Sequence, residues 1–143
     1  MSINTGKVVV GGLAAGVVMS AIDFVTNTYL LAAQNKAAVD AISPKLSEAL
    51  MSTSSTAMFI GIDFVFGLLV VLIYACIRPR FGAGPGTAIK AGLLLWAVAA
   101  ATWAFTIALG MFSWGYFLVG AVASLVAQLA GAYVGSSLYR EPA

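Results

Sequence analysis

Two aspartates, Asp23 and Asp63, are the residues of this chain best suited to chemistry, because each stands inside a long apolar run. Both occur in the same context, Ile-Asp-Phe-Val, at positions 22–25 and 62–65. An ionisable side chain at the centre of a transmembrane helix costs on the order of 2.5–3.5 kcal/mol on insertion scales. Each carboxyl group is therefore expected to have an internal partner or a functional role.

The composition predicts an integral membrane protein. The 143 residues are 62% hydrophobic and only 8% charged, and a soluble domain of this size needs more charge to cover its surface. Four apolar runs reach the ~20 residues that a transmembrane helix requires. They cover residues 8–33, 57–77, 87–109 and 116–139. The predicted fold is a single all-α domain, a bundle of four transmembrane helices.

The distribution of Lys and Arg predicts that both termini are cytoplasmic (N-in, C-in). This orientation puts five basic residues inside and two outside; they are Lys7, Arg78, Arg80, Lys90 and Arg140 against Lys36 and Lys45. The last four of the inner group are predicted to anchor at lipid headgroups.

The connections between the spans differ in character. In the outer loop, residues 34–56, apolar positions recur at helical spacing and predict a short amphipathic helix on the extracytoplasmic surface, interrupted at Ser43-Pro44. The polar string 52–56 is expected to cap the second span. Inside, Arg78 to Thr87 is predicted to be a compact turn, with Thr87 as the N-cap of the third span.

Helical rise predicts that the two aspartates lie at one depth. At ~1.5 Å per residue, Asp23 stands roughly 22 Å from the inner face and Asp63 about 9 Å from the outer face. In a core ~30 Å thick, both levels fall in the outer half. The same arithmetic adds four uncharged polar residues to this layer: Asn27, Thr102, Thr106 and Ser124.

No basic residue is predicted in that layer, so two neighbouring carboxyl groups there cannot both be ionised at low cost. One interpretation is a proton- or cation-binding site open to the outer side. The alternatives are protonated, hydrogen-bonded carboxyl groups that serve helix packing, or carboxyl groups facing a water-filled vestibule or a partner subunit. A catalytic pair is disfavoured, because Ile60-Gly61-Ile62 before Asp63 lacks the Gly-x-Gly-Asp pattern of intramembrane aspartyl proteases.

Small residues at four-residue spacing predict close helix packing. They are Gly12 and Gly16 in the first span and Ala123, Ala127, Gly131 and Gly135 in the fourth. The spacing favours packing within the bundle, and self-association or contact with a larger membrane complex is the alternative. Gln128, near the predicted midplane, is a candidate for a hydrogen bond between helices.

Several classes of function are disfavoured by composition. The chain has no histidine and a single cysteine, Cys76, which argues against haem, His-based metal sites and His-dependent catalytic triads. We therefore predict no cofactor and no metal. A net charge of +2 without a basic cluster predicts no nucleic-acid partner. The glycines at 82, 84 and 86 lack the spacing of a phosphate-binding loop.

The run from Ile73 to Ala88, which contains Arg-Pro-Arg-Phe-Gly, resembles a group of small bacterial inner-membrane proteins, as does the early Gly11–Gly16 segment. These proteins share four spans, an acidic residue in the first span and this type of inner turn. The resemblance covers most of the chain, but its motif is specific only at the turn. It implies a fold and a multi-pass location in the bacterial cytoplasmic membrane, and no catalytic activity.

Three functional hypotheses follow. The first is a non-enzymatic structural or accessory subunit of a membrane complex or homo-oligomer. It is favoured because the inner halves of spans one to three are almost wholly apolar and offer no polar route. The second is a small proton- or cation-coupled transporter or channel using Asp23 and Asp63. An intramembrane aspartyl hydrolase is a remote third.

Overall fold

The computed structural model describes residues 3–140, and these fold into six α-helices without a β-strand. The helices are α1 (Thr5–Val25, continued by a π-helical turn, Thr26–Leu30), α2 (Ala32–Ile42), α3 (Pro44–Leu50), α4 (Thr53–Phe81), α5 (Pro85–Ala108) and α6 (Trp114–Ser137). Four of them, α1 with its π-helical turn, α4, α5 and α6, are long and apolar enough to cross a bilayer. The predicted all-α bundle is confirmed, and the protein is a multi-pass membrane protein.

The outer surface of the bundle is apolar, as expected of helices that are hydrophobic on every face. Val17, Phe24 and Val98 are about as exposed as surface residues of a soluble protein, at 59%, 62% and 60%. Such a surface is stable against lipid acyl chains and costly in water.

Helix α1 is the central element of the bundle, because it packs along both α4 and α6. Helix α5 completes the bundle on the far side, against α6 and α4, so that α1 and α5 lie opposite each other. The core is built mainly of small and β-branched side chains, and Ala15, Val70, Val71, Ala91 and Ala132 are completely buried. Side chains of this size let the helix axes approach closely.

We call the end of the bundle that carries α2 and α3 the loop end, and the opposite end the terminal end. Tyrosines hold the terminal end together. The Asn4 backbone N–H donates to the Tyr139 hydroxyl over 3.3 Å, and the Tyr139 ring meets Tyr74 edge-on with centroids 6.0 Å apart. The Tyr74 hydroxyl accepts from the Gly84 N–H over 3.1 Å. Both ends of the described chain and the α4–α5 turn are therefore tied to one another.

The predicted inner turn is shorter than expected, since α4 continues past Arg78 to Phe81 with Pro79 inside it. A proline removes one backbone hydrogen bond, and so close to the end of the helix that loss is tolerated. The helix ends at Gly82, which has φ of 81° and donates its N–H to the Arg78 carbonyl over 2.8 Å. Glycine suits this left-handed backbone because it has no Cβ.

The prediction that Thr87 caps α5 is wrong. Helix α5 begins two residues earlier, with Gly84 in the N-cap position and Pro85 in the first turn. Proline is favoured there because its missing N–H would have no partner in any case. Thr87 lies inside the helix and is buried, and its hydroxyl donates to the Gly82 carbonyl over 2.8 Å. It closes the turn instead of capping the helix.

The prediction for the loop between the first two spans is confirmed in its main feature, a helix interrupted at Ser43-Pro44. Helix α2 ends at Ile42, and α3 starts at Pro44 after an extended Ser43 whose side chain makes no capping bond. Ser52 caps α4 as expected, by accepting the Ser55 N–H over 3.3 Å. The four long helices also begin and end within a few residues of their predicted limits, except where α4 is extended.

Candidate functional site

The two intramembrane carboxyl groups meet in the loop-end half of the bundle. Asp23 comes from α1 and Asp63 from α4, and their side chains interact directly. Ser20 lies beside Asp63, although its hydroxyl forms no hydrogen bond of good geometry. Among the described residues, no basic side chain interacts with either carboxyl group. We call Asp23 and Asp63 the carboxyl pair; their common level agrees with the depth expected from helical rise.

Close packing of α1 on α4 brings the pair together. Gly12 and Gly16 of α1 face Gly67 of α4, and a Cβ on Gly67 would lie 2.3 Å from the Gly12 carbonyl oxygen. Because glycines stand on both sides of this contact, the two backbones touch. Asp23 lies two turns beyond Gly16, on the same face of α1, and Asp63 lies one turn before Gly67 on α4.

The backbone changes from α-helix to π-helix after Val25, less than one turn beyond Asp23. The Leu31 N–H bonds to the Thr26 carbonyl, five residues back, over 2.9 Å. The Asn27 amide donates to the Asp23 carbonyl over 2.8 Å and holds the turn to the end of α1. Thr26 points inward and is 6% exposed. Single π-helical turns within α-helices occur frequently at functional sites.

A chain of side-chain hydrogen bonds joins three elements above the carboxyl pair. The Tyr116 hydroxyl of α6 donates to the Asn35 side-chain oxygen of α2 over 2.6 Å. The Asn35 amide in turn donates to the Asn27 side-chain oxygen over 3.0 Å. Helix α2 is thereby fastened across the loop end, over the site.

A cavity of about 170 Å³ opens beside Asp23, between the π-helical turn, α5 and α6. We call it the loop-end cavity. Its walls are formed by Asp23, Thr26, Asn27, Leu31, Trp103, Tyr116, Gly120, Ala123 and Ser124. A cavity of about 150 Å³ accommodates a molecule the size of benzene, so this space is large enough for a small organic ligand or several water molecules. Asp63 is not part of the wall. Because Asp63 contacts Asp23, Asp23 lies between the cavity and Asp63.

The structure brings four of the six predicted layer residues together. Asp23, Asn27 and Ser124 line the cavity, and Asp63 contacts Asp23. It does not bring Thr102 or Thr106 to the site.

The Thr102 hydroxyl donates to the Val98 carbonyl of its own helix, and Thr106 donates to the Trp103 carbonyl. Thr102 is exposed on the lipid-facing surface. Helical rise predicts depth but not the direction around the helix, and a hydroxyl that bonds to its own helix is stable in lipid. The two threonines therefore lie at a similar depth to the carboxyl pair, but their side chains do not point toward it.

Sequence reasoning missed four residues at the site: Thr26, Asn35, Trp103 and Tyr116. From the sequence, Asn35 lies in the outer loop and Tyr116 at the start of the fourth span. The only sequence feature that relates to the contact between Asn27 and Asn35 is their eight-residue spacing. That spacing predicts the contact only when the π-helical turn between them is already known.

The small residues pack within the bundle of the same chain. Gly12 and Gly16 lie against Leu68 and Phe64 of α4. Gly131 and Gly135 lie against α1, where a Cβ on Gly135 would be 2.7 Å from the Gly11 carbonyl oxygen. Ala127 is also buried. These residues pack against other helices of the same chain.

Below the cavity the bundle is closed. Met19, Val70 and Val71 fill its centre and are almost completely buried; we call them the closed layer. Gln128 is buried nearby on α6, at 4% exposure, and its side-chain oxygen has no hydrogen-bond partner among the described residues. The predicted hydrogen bond between helices is therefore not observed for that atom.

The predicted headgroup anchors all lie at the terminal end. Arg80, Lys90 and Arg140 are exposed, while Arg78 is half-buried with its guanidinium 5.7 Å from the centre of the Tyr139 ring. The Lys90 ammonium lies 5.3 Å from the centre of the Phe81 ring. Their contact with lipid headgroups stays a prediction.

Comparisons of the chain with protein-family models, with curated proteins and with solved structures gave no match. Within residues 3–140, no group of three or more Cys, Asp or Glu side chains is arranged to hold a metal ion. The function is therefore argued from the geometry of the carboxyl pair and the loop-end cavity.

Proposed function

We propose that this is a non-enzymatic membrane protein that binds a proton or a small cation at Asp23 and Asp63. The observation that carries the proposal is the direct contact of two partly buried carboxyl groups without a basic neighbour among the described residues. Two like charges this close, in a poorly solvated place, are stable only when a proton or another cation lies between or beside them.

The route to the pair runs through the loop-end cavity. Asp23 forms part of the cavity wall together with hydroxyl and amide side chains. These polar groups can bind water or a cation on its way to the pair. By the Lys and Arg distribution the loop end faces the extracytoplasmic side. We propose the bacterial cytoplasmic membrane as the location, in accordance with the resemblance of the inner turn.

The closed layer favours binding over conduction. Met19, Val70 and Val71 separate the carboxyl pair from the terminal end, and an ion in so apolar a region is costly. This observation also favours the second candidate, a structural or accessory subunit of a membrane complex, in which the pair only responds to protons. Self-association through the small-residue stripes is disfavoured, since those residues pack against other helices of the same chain.

Infrared spectroscopy of the purified protein in lipid nanodiscs tests proton binding. We expect a protonated-carboxyl C=O band that titrates with pH and shifts in ¹³C-Asp-labelled protein. In Asp23→Asn and in Asp63→Asn the band should change its midpoint, because each variant removes the neighbour of the other carboxyl group. The double variant should lose the band while its helical circular dichroism stays the same.

Asp40→Asn is the matched control, since Asp40 lies in α2 and pairs with Lys36. An unchanged band in the double variant would contradict the proposal. A pH-sensitive dye inside proteoliposomes then separates the two candidates. Proton flux that is lost in the double variant identifies a transporter, and titration without flux identifies a proton-responsive accessory protein.

A further inference from the structure

We propose that the loop-end cavity binds a small primary ammonium ion, about the size of propylammonium, with its nitrogen at the Asp23 carboxylate. The inference rests on the proposed function, because it specifies which cation the site takes. It comes from the free hydrogen-bond acceptors of the cavity, from its two aromatic walls and from its volume.

Three side chains of the cavity wall offer acceptors. The first is the Asp23 carboxylate. The second is the Thr26 hydroxyl, which lies on a 6% exposed residue and has no hydrogen-bond partner among the described residues. The third is the Ser124 hydroxyl, which donates to the Ala121 carbonyl over 3.0 Å and keeps its lone pairs for a ligand. A primary ammonium carries three N–H donors and no acceptor, which matches this set.

Two aromatic side chains complete the polar end of the cavity. Trp103 and Tyr116 both belong to the wall, and their rings meet edge-to-face with centroids 5.8 Å apart. The faces of Trp and Tyr rings attract cations within about 6 Å, and organic ammonium ions are recognised by aromatic walls of this kind. The outer end of the Trp103 ring packs against Gly120, where an added Cβ would lie 2.4 Å from the Cη2 atom.

A metal ion suits the cavity less well than an ammonium ion. A hard cation such as Ca²⁺ takes about 6–8 oxygen ligands, and the wall offers fewer free ones. The Asn27 side chain is already engaged at both ends, since its oxygen accepts from Asn35 and its nitrogen donates to the Asp23 carbonyl.

The volume of the cavity suits a small organic cation. At about 170 Å³ the cavity has room for a cation of a few carbon atoms. Leu31 and Ala123 supply apolar wall for the alkyl chain.

Isothermal titration calorimetry with propylammonium chloride tests the inference, using the full-length protein in nanodiscs. We expect saturable binding with one site per chain. Tetrapropylammonium, which has no N–H donor and exceeds the cavity, should not bind, and sodium chloride at equal ionic strength should not compete. Competition by sodium at equal concentration would overturn the ammonium assignment in favour of a general cation site.

Variants locate the binding. Asp23→Asn is expected to weaken propylammonium binding at least tenfold, and Thr26→Val and Trp103→Leu severalfold each. Asp40→Asn and Thr102→Val are the matched controls and should bind as the wild type does, because neither side chain reaches the cavity. Size-exclusion profiles and circular dichroism confirm that each variant is folded. Unchanged affinity in Asp23→Asn, or no binding to the wild type, would refute the inference.

Its failure is distinguishable from failure of the proposed function. If propylammonium does not bind while the carboxyl band still titrates and depends on Asp23 and Asp63, the pair is a proton site alone. If neither binding nor titration is observed, both proposals are wrong.

Discussion

Replacing Gly67 by alanine should destabilise the bundle and disturb the carboxyl pair at the same time. The added Cβ would lie 2.3 Å from the Gly12 carbonyl oxygen and 2.5 Å from the Gly16 nitrogen. Ordinary contacts of a Cβ begin at 3.4 Å, so α1 and α4 must separate by about 1 Å. The obstructing atoms belong to the backbone, so a change of side-chain rotamer cannot relieve the clash.

The magnitude follows from two opposing terms. Overpacking of this kind costs about 1–3 kcal/mol, whereas alanine gains up to about 1 kcal/mol over glycine in helix propensity. Gly61→Ala is the matched control, because it lies on the same helix with nothing within 4 Å of its added Cβ. It should show the propensity gain alone. The two variants should therefore differ by about 1–3 kcal/mol in free energy of unfolding, with Gly67→Ala the less stable.

Reversible unfolding in mixed detergent micelles, followed by circular dichroism, measures this difference. Native mass spectrometry of the same samples reports the oligomeric state. Equal unfolding free energies for Gly67→Ala and Gly61→Ala would refute the close backbone contact between α1 and α4. Loss of an oligomer without loss of stability would show instead that the glycines serve contact between copies. In Gly67→Ala the infrared carboxyl band should also shift, because separation of α1 from α4 moves Asp23 away from Asp63.

Two further predictions concern the ends of the bundle. Tyr139→Phe removes the acceptor of the Asn4 N–H and should cost about 0.5–1.5 kcal/mol of unfolding free energy, with Tyr133→Phe, whose residue is 57% exposed, as a neutral control. At the loop end, the hydrogen bond from Lys36 lowers the pKa of Asp40. The stabilisation of α2 by the ionised Asp40 is therefore complete above the ordinary aspartate pKa of ~3.9. It is lost as the pH falls through the lowered pKa. Protection of the α2 amides against exchange, taken relative to the intrinsic rate at each pH, should therefore fall in strong acid. Lys36→Met should weaken this pH dependence without abolishing it, because Ser47 also lowers the pKa of Asp40.

The depth of the carboxyl pair was predictable because helical rise is nearly constant. Counting residues from the start of each apolar run places Asp23 and Asp63 at one level, and the structure has them in contact. The direction of a side chain around its helix was harder to predict. The transmembrane helices are apolar on every face, so hydrophobic periodicity does not distinguish the core side from the lipid side. Thr102 and Thr106 were assigned to the site for this reason.

The local breaks in the helices were predicted unevenly. Ser43-Pro44 and Ser52 act through local backbone chemistry, and both positions end or start a helix as expected. The π-helical turn after Asp23 has no comparable signal in Thr26–Leu30. A side-chain hydrogen bond from Asn35 to Asn27 ties this turn to α2. The loop-end cavity was missed with it, because the inward direction of Thr26 follows from that turn.

The two halves of the bundle differ in a way that bears on how the site works. In the terminal half, α1 is held by backbone contact with α4 at Gly12 and with α6 at Gly135, and such contacts leave little room for movement. In the loop-end half, α1 turns into a π-helix. The cover formed by α2 is held there by the hydrogen bonds of Asn35 and by the buried side chain of Val39. Opening of the site is therefore expected at the loop end, where α2 is attached by side-chain contacts and not by backbone-to-backbone contact. Exchange of a proton or an ammonium ion is expected on the loop side, with the closed layer intact throughout.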